Sequence, residues 1–135
     1  MNARSTKADG YRDSASRASF LNGKAILLVE DEFLLALQLE DLVQSSGGVV
    51  RGPYCSLDDA MKAAQRQDFD FAILDINLSG TMVFPLADQL LAGGIPFLFL
   101  TGYSLGNLPE RFHPVTRLNK PCDPDLLIAT LRSQL

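Results

Sequence analysis

The sequence predicts one α/β domain, with helices on both faces of a five-stranded parallel sheet. Three observations predict it. Short apolar runs such as Ala25-Ile26-Leu27-Leu28-Val29 and Phe71-Ala72-Ile73-Leu74 are uninterrupted, the pattern of strands covered on both sides. Stretches with helical spacing of apolar residues separate those runs. Each run stops at polar or charged residues, so the chain leaves the sheet repeatedly at one edge, where open parallel sheets place their ligand crevice.

The chain has 135 residues, enough for a real core, and 47% hydrophobic against 21% charged residues is a globular composition. Its formal net charge of −4 speaks against nucleic acid or an anionic membrane as the main partner. No run approaches the ~18 apolar residues of a bilayer span, and the first residues lack an apolar signal core. Cys55 and Cys122 are too few for a disulfide scaffold and fall at opposite edges of the expected sheet. A soluble cytoplasmic domain is expected.

Taken in order, residues 1–22 show no helical or strand period and read as a flexible N-terminal tail. The tail is cationic (Arg4, Lys7, Arg12 and Arg17 against Asp9 and Asp13), which leaves the domain at 23–135 more acidic than the whole. The first strand covers 24–29 and runs into Glu30-Asp31-Glu32. A helix over 33–46 follows, with Leu35, Leu39 and Leu42 as its core stripe, Gln38, Asp41 and Ser45 facing water, and Gly47-Gly48 ending it. Residues 49–54 form a second strand, which Gly52-Pro53 consigns to an edge. Ser56, with Asp59 three residues on, starts a helix that turns Leu57, Ala60, Met61 and Ala64 inward.

The central strand ends on Asp75, and the third helix spans 84–92, with Pro85 in its first turn and Gly93-Gly94 beyond its end. A fourth strand, 96–100, closes on Thr101-Gly102. The next stretch holds at most a turn of the expected fourth helix, because Gly106, Pro109 and Pro114 interrupt it, so that helix is short or disordered. A fifth strand over 115–118 reaches Asn119-Lys120-Pro121, and Asp123-Pro124-Asp125 caps a last helix that buries Leu127, Ile128 and Leu131. Strand–helix alternation implies right-handed crossovers, and five such strands fit the flavodoxin-like doubly wound order 2-1-3-4-5.

That order brings Glu30, Asp31 and Asp75 to one edge, where three carboxylates repel unless a hard divalent cation joins them. Mg²⁺ suits oxygen ligands, and it commonly binds through one or two carboxylates together with phosphate oxygens. Thr101 supplies a hydroxyl and Lys120 an ammonium at the same edge. A metal, a nucleophilic carboxylate, a hydroxyl donor and a fixed cation are the requirements of phosphoryl transfer to aspartate.

Over residues 23–135 the chain resembles a response-regulator receiver domain of two-component signalling. The resemblance rests on Val29-Glu30-Asp31, Asp75-Ile76-Asn77-Leu78-Ser79-Gly80, Thr101 and Lys120-Pro121. It implies that Asp75 is the phospho-acceptor and that Thr101 and Lys120 assist it. It further implies Mg²⁺ held by Asp31 and Asp75, by Glu30 through water, and by the backbone carbonyl of Asn77. Pro96-Phe97-Leu98-Phe99-Leu100-Thr101-Gly102-Tyr103 is similar to the "FAT GUY" receiver subfamily, with Leu100 in place of its Ala. Two departures stand out. Ser79 replaces the proline most receivers carry in this loop, as in that subfamily, and Arg117 replaces the switch aromatic of strand five. Output is then expected from the 102–114 loop itself, ordering or repacking on phosphorylation.

The implied protein is a single-domain response regulator, not an enzyme beyond its own phosphorylation and dephosphorylation, and a monomer or weak dimer. A histidine kinase or phosphotransfer protein would phosphorylate it, and it would act by binding a downstream protein, by passing phosphate on, or as a phosphate sink. Leu34, on the wet face of the first helix beside the site, is either a kinase-docking residue or an ordinary exposed leucine. His113 has no partner ligand in sequence and reads as a surface residue. Two alternatives remain: a pseudo-receiver that binds partners without phosphorylation, and an aspartyl-phosphate phosphatase of the haloacid-dehalogenase type. The second needs a general acid where this chain has Asn77, and it needs a cap domain.

Overall fold

The computed structural model describes residues 20–102 and 108–135. Along each central strand alternate side chains go to opposite faces, and this divides the core into two halves. Strands β1 (Ala25–Val29), β3 (Phe71–Asp75) and β6 (Phe97–Thr101) are buried throughout. Leu27, Val29, Ala72, Leu74, Phe97 and Phe99 pack beneath helices α2 (Leu57–Ala64) and α3 (Phe84–Ala92). Ile26, Leu28, Phe71, Ile73, Leu98 and Leu100 pack beneath α1 (Phe33–Ser45) and α4 (Pro124–Gln134).

The edge strands are β2 (Val49–Tyr54) and β7 (Arg117–Asn119), and the sheet order is β2-β1-β3-β6-β7 with every pairing parallel. This is the doubly wound order expected from the sequence, with β6 and β7 as the fourth and fifth strands. Cys55 and Cys122 follow the two opposite edges and are free thiols.

Four details differ from the sequence reading. In α1 the buried stripe is Ala36, Leu39 and Val43, while Leu35 and Leu42 are half-buried; the sheet meets the helix about one residue further round. The fifth strand starts at Arg117 because it pairs in register with Phe99, and only Leu118 of its three residues is buried. Phe20 and Leu21, assigned to the tail, belong to the packed unit: Leu21 is buried, its N–H donates to the Ser46 carbonyl at 2.9 Å, and the Arg132 guanidinium lies over the Phe20 ring. A two-residue hairpin, β4 (Asn77–Leu78) with β5 (Thr81–Met82), follows the central strand.

Where a fourth receiver-type helix would lie, the described residues hold one 3₁₀ turn, Glu110–Phe112. Phe112 is fully buried, stacked on Phe84 at 5.4 Å between ring centroids and edge-on to Phe99 at 5.5 Å. Arg111 makes two hydrogen bonds to Asp88 of α3, at 2.6 and 3.0 Å. Residues 108–113 are therefore anchored. Residues 103–107 of the loop expected to switch, including Tyr103, lie outside the described residues.

Candidate functional site

The functional edge is built by backbone register. Val29 pairs with Leu74, so the chain leaves β1 and β3 side by side and Glu30, Asp31 and Asp75 emerge together. Asp75 pairs with Leu100 and Thr101 with Asn119, and the Lys120 N–H donates to the Thr101 carbonyl at 2.7 Å. Asp31, Asp75, Asn77, Thr101 and Lys120 line one crevice of about 340 Å³, with Glu32, Ser79 and Met82. Glu30 is wholly buried; Asp75 is 4% and Thr101 1% exposed.

The charges are tightly coupled. One carboxylate oxygen from each of Glu30, Asp31 and Asp75 lies within 4.8 Å of the others. The Lys120 ammonium donates to Asp75 Oδ2 at 2.9 Å and stands 3.1 Å from both oxygens of Glu30, with Glu32 at 3.6 Å. Asp75 Oδ1 accepts from the Asn77 N–H at 3.2 Å, and Glu30 Oε2 from the Glu32 N–H at 3.0 Å.

Burial, with Asp75's charge adding to it, pushes Glu30 up to about 7, against the opposing pull of the Glu32 N–H and Lys120. Burial likewise raises Asp75, with Lys120 opposing. For Lys120, burial acts downward, but its bonds to Asp75 and Glu30 outweigh that and leave it raised. One ammonium thus serves three acidic neighbours, and Glu30 Oε1, buried, has no hydrogen-bond partner of good geometry. A hard divalent cation fits this donor set, since carboxylate oxygens are its natural ligands and its charge offsets the remaining repulsion.

The sequence reading missed the hairpin that roofs the crevice. Ser79 and Gly80 form its turn with φ of +52° and +98°, the left-handed pair that a two-residue hairpin requires. Gly80 tolerates this freely, whereas a serine there costs ~1 kcal/mol. Asn77 Oδ1 accepts from the Gly80 N–H at 2.6 Å, and the Ser79 hydroxyl donates to Asp31 Oδ2. The Ser-Gly dipeptide is the one turn signal in the sequence that points to this hairpin. His113 is exposed at the surface, its Nε2 3.1 Å from the Leu108 carbonyl oxygen.

Comparison with known proteins gives a consistent result. No protein-family profile matches the chain. It is 32% identical over 119 residues to the phyllosphere-induced regulator PhyR of Methylorubrum extorquens, covering 82% of this chain and 43% of that protein. The solution structure of SdrG from Sphingomonas melonis is 34% identical, with a TM-score of 0.72 over 83% of this chain and 97% of that one. The receiver domain of the PhyR response regulator from Erythrobacter litoralis is 26% identical, with a TM-score of 0.73 over 83% and 89% of the two chains. The chain thus spans less than half of the full-length PhyR it matches. On this similarity and the architecture of its crevice, the chain belongs to the response-regulator receiver family.

Proposed function

We propose that this receiver is phosphorylated on Asp75 by a histidine kinase or phosphotransfer protein. The observation that carries the reading is the Asp75 carboxylate, nearly buried, bonded at 2.9 Å to Lys120 and within 4.8 Å of carboxylates from Glu30 and Asp31. In the transfer, the nitrogen–phosphorus bond of a phosphohistidine breaks and an Asp75 oxygen–phosphorus bond forms, while the imidazole departs with the electron pair and takes up a proton. Lys120 and the Thr101 hydroxyl hold the phosphoryl oxygens as charge shifts onto them. Asp31, Asp75 and the Asn77 carbonyl, with Glu30 behind them, would hold Mg²⁺, which would supply the positive charge that lets an anionic phosphoryl group approach a carboxylate.

SdrG, 34% identical, is also solved in a BeF₃-activated conformation, and trifluoroberyllate is the tetrahedral stand-in for phosphoryl on a carboxylate. Phe33 and Leu34, 74% and 72% exposed at the start of α1 beside the crevice, offer an apolar surface for the kinase to dock on. We read the protein as a cytoplasmic response regulator, monomeric or weakly dimeric. It turns over nothing but its own phosphate and acts by binding a downstream protein, relaying phosphate, or draining it from a kinase. No helix among the described residues is long and apolar enough to cross a membrane.

The test is acetyl phosphate with Mg²⁺, followed by intact-mass measurement. Wild type should gain one phosphoryl group and Asp75→Ala none. A wild type that stays unmodified would leave only phosphorylation-independent binding, and an Asp75→Ala protein that is still modified would move the acceptor elsewhere.

A further inference from the structure

We infer that Ser79 is a positioning residue for the metal ligand Asp31, and that its hydroxyl sets the affinity of the site for a divalent cation. The inference rests on the proposed reading of the crevice as a metal site. Four observations on the hairpin carry it.

Ser79 adopts a left-handed backbone (φ +52°) next to a glycine at φ +98°. An L-residue is disfavoured there and glycine is the ordinary occupant, so a serine at this point requires a compensating contact. That contact is present: the Ser79 hydroxyl donates to Asp31 Oδ2, joining positions 48 residues apart. The turn itself is pinned from below, because the Gly80 N–H donates to Asn77 Oδ1 at 2.6 Å and Asn77 and Leu78 pair with Met82 and Thr81. Finally, the Asn77 N–H donates to Asp75 Oδ1 at 3.2 Å.

The hairpin is therefore a strut between the acidic loop after β1 and the carboxylate that ends β3. Asp31 is only half-buried on a loop, and its carboxylate would otherwise choose among several rotamers. A carboxylate has about four lone-pair sites, so one hydroxyl bond fixes the plane of the group and leaves it able to ligate. Outer contacts of this kind to metal ligands are typically worth roughly 10- to 100-fold in metal affinity.

The experiment compares wild type, Ser79→Ala and Ser79→Gly by calorimetric titration with Mg²⁺ alone, with melting temperature in chelator as a second measurement. Ser79→Ala removes the hydroxyl and keeps the unfavourable backbone, whereas Ser79→Gly removes both. Both should bind Mg²⁺ about 10-fold more weakly than wild type. In chelator, Ser79→Gly should melt above Ser79→Ala, which shows that the loss of affinity is not a loss of folding. If both variants bind as tightly as wild type, or more tightly, Ser79 does not position Asp31 and the inference is wrong, while the phosphorylation reading stands on its own mass measurement. Wild type that binds no Mg²⁺ would overturn the inference together with the metal site.

Discussion

Replacing Asp75 by asparagine should make the metal-free protein more stable, although it removes the proposed phosphate acceptor. Asparagine keeps the shape and an oxygen for Lys120 and deletes one charge. With unit charges at an effective dielectric constant near 20, a separation of 4.8 Å is worth ~3.5 kcal/mol per pair, and the 2.9 Å contact with Lys120 about 6. Two repulsions, from Glu30 and Asp31, thus slightly exceed the one attraction, and burial adds to the same side.

The raised values of Glu30, up to about 7, and of Asp75 mean that the folded protein holds more protons than the unfolded chain in this range. Its stability therefore falls as pH rises from the ordinary carboxylate range through about 7. Asp75→Asn removes one of the causes that raise Glu30, so its decline should be shallower. In chelator near pH 8 the variant should gain on the order of 1–3 kcal/mol, a rise of roughly 4–13 °C in melting temperature. Well below about pH 4, where Glu30 and Asp75 are protonated in both states, the two proteins should converge. Mg²⁺ should raise the melting temperature of wild type more than that of the variant. Thermal melts by circular dichroism across pH decide it: an Asp75→Asn protein that melts at or below wild type in chelator at high pH would mean that the acidic crowding is not a cost to the fold.

Phe112→Ala should cost about 3–5 kcal/mol in urea unfolding, because a fully buried ring in contact with Phe84 and Phe99 is lost; a cost under ~1 kcal/mol would mean that the 3₁₀ turn is not anchored. Gly52→Ala should cost on the order of 2–4 kcal/mol. At φ +114° the new Cβ would lie 2.7 Å from the Leu28 carbonyl oxygen, which belongs to the central sheet and cannot move aside. Unchanged unfolding for that variant would show that the β2 edge relaxes freely.

The fold was legible wherever a side chain's environment follows from its immediate neighbours. Buried central strands have to be apolar on both faces, so Phe71 to Leu74 announced themselves, and the polar residues that end such strands follow from the same topology. Ser56 and Asp123 were legible as helix caps because capping is local: Ser56 Oγ accepts from the Asp59 N–H, and Asp123 from the Asp125 N–H. What stayed hidden depends on partners distant in sequence. The start of the fifth strand is set by register with Phe99. The Asp88–Arg111 pair joins residues 23 apart, and the hairpin strands, two residues each, are too short to show any period. Phe20 and Leu21 look like part of a polar tail until α4 and the end of α1 are there to receive them.

The departures from local preference in this crevice are concentrated at one edge. Glu30, Asp31 and Asp75 are crowded beyond what Lys120 alone can offset, and Ser79 stands in a backbone region that disfavours it. The sheet immediately below shows no such conflict, since β1 and β3 are apolar and fully buried up to the residues that carry the charge. A chain selected for stability alone would neutralise one of these carboxylates and place glycine at position 79. The same features suit a site that must accept charge from outside: repulsion that a cation would relieve would become affinity for that cation, and the Ser79 hydroxyl, bonded to Asp31, would keep that carboxylate aimed before the cation arrives. Local conflict at the edge and consistency in the core therefore have one origin, because only a rigid sheet can hold three acidic groups at this spacing against their mutual repulsion.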